Sequence, residues 1–232
     1  MITSIRNSTA PGRPAGSGDT SPAMRLRILS WNLLRTRGAT TADIGRLIEL
    51  HNPDLVMMQE ATAAIDGLPG LIGGHYAREP MLRRSHGPAV WSRQRFDAVA
   101  ETLPIAGRLD LPVPIFRAVS PRLALVVRLG WLRAATVHLD HGQRANRRQL
   151  RHLLASHPQL DMVIGDFNAL GPTGLPGFRD VGPRVATHRA HGLLPLRLDR
   201  CLVRGLQCTA SSALAYGRSD HRPILLDLAA VA

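Results

Sequence analysis

Six short apolar runs of this chain each adjoin a cluster of side chains able to bind a phosphate or a metal: SWN at 30–32, QE at 59–60, HLD at 138–140, GDFN at 165–168, RLD at 197–199 and SDH at 219–221. A single cluster of this kind is usually a turn former or a cap. The same placement at one strand end after another has no such explanation. It confines the chain to folds that carry several strand ends to one place.

The runs themselves follow strand and helix periods. RLRILSWNLL (25–34) alternates as a strand ending in Trp31 and Asn32, with Trp31 expected in the core, fixing the strand of the asparagine. TADIGRLIELHN (41–52) is helical, with Thr41 as N-cap and Ile44, Leu47 and Ile48 on its apolar face, and Pro53 ends it. DLVMMQEA (54–61) is a continuous apolar run, as in a strand covered on both faces. PAVWSR (88–93), DAVAETLPI (97–105), RLALVVRL (122–129) and WLRAATVHLD (131–140) read as strands, the last two forming a hairpin about Gly130. RANRRQLRHLLASHP (144–158) is an amphipathic helix, and LDMVIGDFNAL (160–170), RLDRCLV (197–203) and SDHRPILLDL (219–228) complete the strands. No internal repeat is long enough to assign. The expected organisation is a disordered, Ser/Thr/Gly/Pro-rich leader over residues 1–23, with Met24 a candidate start, followed by one domain of mixed sheets and flanking helices over 24–232.

Composition narrows the function classes. The 232 residues are 44% hydrophobic, which excludes wholesale disorder, and no apolar stretch reaches the ~18 residues of a membrane-spanning helix. The formal net charge is +12 and every basic residue is an arginine, so a GC-rich coding sequence explains the charge as well as a polyanionic partner does. Residues 1–23 hold only Arg6, Arg13 and Asp19 of the charged groups, so +11 belongs to the remainder. Cys201 and Cys208 match neither a zinc ribbon nor a redox pair, and a reducing, cytoplasmic setting and a monomeric protein are expected.

The chemistry lies in the clusters. Asp166 and Asn168 stand two apart, on one side of an extended chain, after a glycine that permits close backbone approach. That pair offers a carboxylate for a water beside an amide for a phosphoryl oxygen. Asp220 directly precedes His221, and Asp199 on a nearby strand is placed to pair with that imidazole, fixing its tautomer and favouring its charged form.

The ordered series WN, QE, HL, GDFN, LD and SDHRP, spanning residues 26–228, resembles the endonuclease/exonuclease/phosphatase superfamily. The resemblance implies an α/β (α+β) fold, a four-layer α/β/β/α sandwich of two mixed, mainly antiparallel sheets, with a metal-dependent phosphoester hydrolase site at one end of the strands. It implies Glu60 as the principal metal-binding carboxylate, with Asn32 and Asp220 beside it, and Mg²⁺, or Mn²⁺ in its place, as the cofactor. Asp166 matches the residue that orients or deprotonates the attacking water, Asn168 the one that contacts the phosphoryl group, and His221 with Asp199 the pair that stabilises the charged transition state. His138 matches the additional histidine of the deoxyribonuclease-I-like branch. Position 34 is a leucine where several nuclease members carry an acid, so a second metal point is in doubt.

The substrate is less determined than the reaction. Arg144, Arg147, Arg148 and Arg151 recur at i, i+3, i+4 and i+7 as a cationic helix stripe, ordinarily just a solvated face, and Arg93 lies beyond the arginine-rich 78–87. Arg93, Arg144, Arg147 and Arg148 are candidate contacts for a substrate phosphate, most readily of DNA or RNA. An aromatic content of 4% leaves little for base stacking, and the same arginines would also suit a phospholipid or a small phosphodiester. Residues 67–74, GLPGLIGG, are apolar enough to touch an anionic lipid surface, but packing against the core is the simpler expectation. A non-catalytic, basic nucleic-acid-binding protein is the third alternative, disfavoured by the complete set of site residues. His141, three after His138, lacks partners spaced for zinc, His188 and His191 carry no assignable role, and Arg122 could support the site from an edge strand, although a surface arginine is the simpler expectation.

Overall fold

The computed structural model describes residues 24–105, 120–190 and 192–231. The leader and His191 lie outside them. In chain order the elements are β1 (Arg25–Asn32), α1 (Thr41–His51), β2 (Leu55–Thr62), α2 (Leu68–Ile72), β3 (His75–Arg78), β4 (His86–Ser92), β5 (Asp97–Thr102), β6 (Leu123–Leu129), β7 (Leu132–His138), α3 (Gln143–Ser156), β8 (Met162–Asp166), β9 (Arg179–Asp180), β10 (His188–Ala190), β11 (Leu194–Leu196), β12 (Asp199–Val203), β13 (Leu206–Ala213) and β14 (Ile224–Ala230). They form a six-stranded sheet ordered β13-β14-β1-β2-β4-β3, a second ordered β5-β6-β7-β8-β12-β9, and a small hairpin of β10 and β11.

Each large sheet is built around the same unit. β1 crosses through α1 to the parallel β2, and β7 crosses through α3 to the parallel β8. Antiparallel neighbours flank both pairs, β14 and β4 in one sheet and β6 and β12 in the other. The two helices cover opposite outer faces. Ile44 and Ile48 of α1 pack with Leu29, Trp31, Val56 and Met58. Leu150 and Leu153 of α3 pack with Ala135, Val137, Val163 and Leu202. Between the sheets, Ile28, Leu55, Met57 and Val90 of the first meet Val127, Leu132, Met162, Ile164, Cys201 and Val203 of the second. The result is the four-layer α/β/β/α sandwich.

Strand alternation then dictates where the chemistry goes. Residues two apart share a face, so the inward series of β1 is Ile28, Ser30, Asn32 and that of β2 is Leu55, Met57, Gln59. β7 gives Ala134, Thr136, His138, β8 gives Met162, Ile164, Asp166, and the antiparallel β12 gives Val203, Cys201, Asp199. Every series runs from apolar at one end of the seam to polar at the other. Register aligns the polar ends, with Asn32 opposite Gln59, His138 opposite Asp166, and Asp166 opposite Asp199.

Some local expectations need correction. The N-cap of α1 is Thr40, not Thr41: the Thr40 hydroxyl accepts from the Asp43 amide at 3.2 Å while Asp43 accepts from the Thr40 amide at 2.8 Å, and the Thr41 hydroxyl instead donates to the Ala64 carbonyl. The 67–74 segment contains the short helix α2, with Leu68 buried. The edge strands β3 and β13 and the β10–β11 hairpin are additional to the strands expected from sequence. β13 is mostly polar and exposed, so it carries no hydrophobic alternation. The β6–β7 hairpin turns through Gly130 and Trp131, closed by the Leu129–Leu132 pair, with Gly130 at φ 55°.

Gly165 is the tightest point of the seam. Its φ is 133°, and a Cβ there would stand 2.2 Å from the Val137 carbonyl oxygen and 2.9 Å from Gln59 Nε2. Backbone cannot yield as a flexible side chain does. Gly165→Ala is expected to destabilise the fold by about 2 kcal/mol or more, measured as a shift in the urea midpoint; an unchanged midpoint would show that the strand tolerates a side chain there.

Candidate active site

The polar ends of the strands line a cleft of about 940 Å³ together with the β10–β11 hairpin. Its floor holds Asn32, Glu60, His138, Asp166, Asn168, Asp220 and His221. Asp199, buried behind them, reaches the cleft through His221: its Oδ2 lies 2.8 Å from His221 Nδ1.

Backbone strain sets two of these side chains. β2 is bulged between Met58 and Ala61, and Glu60 within that bulge has φ 56°, in the left-handed region that side chains other than glycine seldom occupy. The bulge breaks the alternation, so Gln59 points into the seam and Glu60 into the cleft. Asn168 has φ 48°, and its backbone amide donates to Asp166 Oδ1 at 2.9 Å. Left-handed residues of this kind concentrate at functional sites, where the surrounding structure holds them.

Asp166 is the centre of the network. Its Oδ2 accepts from Asn32 Nδ2 at 3.0 Å and lies 3.5 Å from His138 Nε2 and 3.6 Å from His221 Nε2. His138 Nδ1 in turn stands 3.8 Å from Glu60 Oε1. Asn168 uses one N–H of its side chain on the Leu139 carbonyl, at 2.9 Å, which ties the GDFN turn to the end of β7. The SDH motif is anchored through its serine: Ser219 Oγ donates to the Asn32 carbonyl at 2.7 Å and accepts from the His221 amide at 3.1 Å. Trp31 Nε1 donates to the His221 carbonyl at 2.9 Å, so this core residue secures the histidine as well as its own strand. Thr187 Oγ1 accepts from the amides of Leu198 and Asp199.

The two histidines are held in opposite charge states. Burial pushes His138 well below the ordinary imidazole range, and the nearby positive charges of Arg122 and His221 push the same way, so it is neutral. Burial also works against a charged His221, but the carboxylate of Asp199, helped by Asp166 and Asp220, outweighs it and raises the imidazole to about 10. His221 is therefore an imidazolium at neutral pH.

Several residues of the site carried no sequence signal. His188 of β10 lines the cleft, its ring 4.3 Å from that of His221 and its Nδ1 3.9 Å from Asp220 Oδ2. Arg122 is not a free surface group: it lines the cleft and pairs with the buried Asp140 at 2.9 Å. Gln149 of α3 braces the same aspartate from the other side. Arg35, Arg84 and Arg189 complete the cationic walls. Two polar residues buried on the covered face of α3, Asn146 and Gln149, both bond Asp140.

The arginines proposed from sequence are placed elsewhere. Arg93 is bound to the Pro53 carbonyl and the Asn52 side chain, ahead of β2, whereas Glu60 lies at the far end of that strand; Arg93 closes the C-terminus of α1 and does not reach the cleft. Arg144, Arg147 and Arg148 are exposed on α3 and none lines the cleft, although Gly142 and Gln143 at the start of the helix do. Arg148 bonds the Ile105 carbonyl.

The donors suit a hard divalent cation. Asn32, Glu60 and Asp220 offer oxygen atoms to one cleft, and Asp220 Oδ1 is buried with no hydrogen-bond donor among the described residues, which a cation would satisfy. Ligand atoms of Asp166, Asp199 and His221, and of His188, Asp220 and His221, also lie within 4.8 Å of one another. Both of those groups include His221, whose positive charge opposes a cation.

The sequence matches the Endonuclease/Exonuclease/phosphatase family over residues 29–221, and the chain belongs to that family. Its structure is similar to an endonuclease/exonuclease/phosphatase family protein from Bacteroides thetaiotaomicron (18% identity, 90% of this chain and 99% of that one, TM-score 0.66). It is also similar to the human Nocturnin catalytic domain solved with a bound sulfate anion (18% identity, 89% and 94%, TM-score 0.63) and to D. rerio TDP2 complexed with a single strand DNA product (17% identity, 88% and 98%, TM-score 0.63). A search of curated proteins by sequence finds no match. Among the described residues no helix is long and apolar enough to cross a membrane.

The Asp199–His221 pair gives a direct test. Asp199→Asn is expected to lower the His221 pKa from about 10, because burial is then opposed only by the carboxylates of Asp166 and Asp220, as followed by NMR titration of the ring. The sign for stability follows. A histidine raised on folding contributes stability that is full below its unfolded pKa near 6.5 and is lost as pH rises through about 10. The parent protein should therefore lose this contribution as pH rises toward about 10, and the variant should show a smaller contribution that is lost at lower pH.

Proposed function

We propose that the protein is a divalent-metal-dependent phosphodiesterase whose preferred substrate is a nucleic acid, hydrolysed by in-line attack of water. The single observation that carries this reading is the convergence on Asp166, where a carboxylate oriented by the Asn32 amide and the Asn168 backbone stands 3.6 Å from an imidazolium. Attack on a phosphodiester needs a proton acceptor for the water and positive donors for the non-bridging oxygens. Asp166 supplies the first and His221 the second, with Asp199 keeping His221 charged and the tautomer fixed. Asn32 directs Asp166 Oδ2 by donating to it, and Asn168 holds Oδ1. Neutral His138 stands between Glu60 and Asp166 without adding charge, and its single N–H can serve only one of the two carboxylates. Glu60, Asn32 and Asp220 would hold Mg²⁺ or Mn²⁺, which when bound neutralises phosphate charge and acidifies a coordinated water.

The choice of substrate rests on the walls. Arg35, Arg84, Arg122 and Arg189 line the cleft, whereas no Phe, Tyr or Trp is among its described lining residues. Such a surface holds phosphates rather than bases, so binding is expected to depend on the backbone and little on sequence. The single strand DNA product complexed with D. rerio TDP2 and the sulfate anion bound to the human Nocturnin catalytic domain support an anionic substrate for this fold. A phospholipid or small phosphodiester would use the same donors and is the reading to exclude.

The purified protein should hydrolyse bis-p-nitrophenyl phosphate and single-stranded DNA with Mg²⁺ or Mn²⁺ and stop in EDTA. Asp166→Asn should lower kcat by about 10²- to 10⁴-fold and Glu60→Ala should remove most activity. Four phosphate contacts on a single strand predict an affinity loss of about 50-fold between roughly 50 and 200 mM salt. Preference for phospholipid vesicles with a flat salt response would reject the nuclease; turnover unaffected by EDTA would reject the metal.

A further inference from the structure

The carboxylates of the cleft are unequally guarded. Asp199 is paired with the buried His221 at 2.8 Å, and Asp140 with Arg122 at 2.9 Å and with Gln149. Glu60 is different. Both of its oxygens are taken by one residue: Oε2 accepts the backbone amide of Arg35 at 3.0 Å and Oε1 the Arg35 Nη1 at 3.1 Å. Glu60 is itself fixed, its side chain only 10% exposed and its backbone set by the bulge at φ 56°. The Arg35 side chain is 42% exposed and lies in the turn after β1, so it is the movable member of the pair. Its guanidinium occupies a carboxylate that the metal-dependent reading assigns to a divalent cation, and the preceding Leu34 offers no side-chain oxygen to compensate.

We propose that the Arg35 guanidinium is a built-in competitor for the divalent cation at Glu60, so that metal entry and release of Arg35 are a single exchange. Two positive groups cannot share one carboxylate without mutual repulsion, and the partly exposed guanidinium can exchange with solvent or an ion. The pairing has a use when metal is scarce, because it neutralises Glu60 and keeps it in its ligating position. The backbone amide of Arg35 stays on Oε2 in either state and holds the carboxylate's orientation. Once released, the guanidinium remains in the cleft it lines, beside Arg84 and Arg122, where it can meet a substrate phosphate. Metal loading thus both arms the site and adds a cation to the phosphate-binding wall. This inference rests on the metal-dependent reading above and extends it to how the metal is admitted.

The test reads metal binding, not turnover. Mn²⁺ is titrated into the full-length protein and the free ion followed by EPR, for the parent, Arg35→Ala and Arg35→Lys, with thermal melts in EDTA to check that each folds. Arg35→Ala removes the guanidinium but keeps the amide hydrogen bond to Glu60, and is expected to bind Mn²⁺ about fivefold more tightly, the upper range for an exposed ion pair. Arg35→Lys, which keeps a cation, should stay near the parent. Equal or weaker binding by Arg35→Ala overturns the inference, and if the parent still hydrolyses phosphodiesters with metal, it overturns this inference alone. Failure of every protein to bind Mn²⁺ overturns it together with the metal reading. Tighter binding by Arg35→Ala in a protein that hydrolyses no phosphodiester would uphold the exchange and reject the proposed activity.

Discussion

The amide of Gln59 joins the two sheets across their common seam. Its Nε2 lies 2.8 Å from Thr136 Oγ1 in one sheet and 3.1 Å from Ser30 Oγ in the other, and all three side chains are buried. Leaving such groups unpaired would cost about 1–3 kcal/mol each, so this contact fixes the level at which the seam changes from apolar to polar. Below it lie Met57, Ile164 and Ala134, which hold the sheets by hydrophobic burial; above it lie Asn32, His138 and Asp166. The site is the upper end of the core, and its geometry depends on the sheets meeting in this register.

The same crowding explains why the site is strained. Gly165 has to bring its backbone against Val137 and Gln59, and only a residue without Cβ can do so. Glu60 and Asn168, each with positive φ, turn their side chains or amides toward Asp166 and the cleft in backbone conformations that the neighbouring strands enforce. A rigid floor of this kind leaves movement to the rim, where Arg35 is half-exposed and held by one exchangeable ion pair.

The excess of arginine acquires two separate meanings. Much of it is structural: Arg27 pairs with Asp227, Arg78 with Asp66, Arg128 with Asp97, and both Arg197 and Arg200 with Asp180. Arg204 and Arg222 bond backbone carbonyls instead of acids. The arginines that line the cleft are few, and they are not the conspicuous helix stripe or Arg93. A regular spacing on α3 marks a solvated face, while Arg35, Arg84, Arg122 and Arg189 come from four unrelated segments and share a wall only after folding.

Strand periodicity and the polar clusters at 30–32, 59–60, 138–140, 165–168, 197–199 and 219–221 are local properties, and with them the sequence by itself marked the principal strands and their polar ends, while the four-layer sandwich followed only from the family resemblance. A two-residue alternation ending in Asn32, His138 or Asp166 already states which face those side chains take. What local pattern cannot contain is pairing between distant segments. The polar edge strand β13, the placement of His188 against His221, the capture of Asp140 by Arg122 and the grip of Arg35 on Glu60 leave no periodic trace, because each is set by the register of sheets and loops far apart in the chain. Those contacts, which decide the charge and the access of the site, belong to the tertiary structure alone.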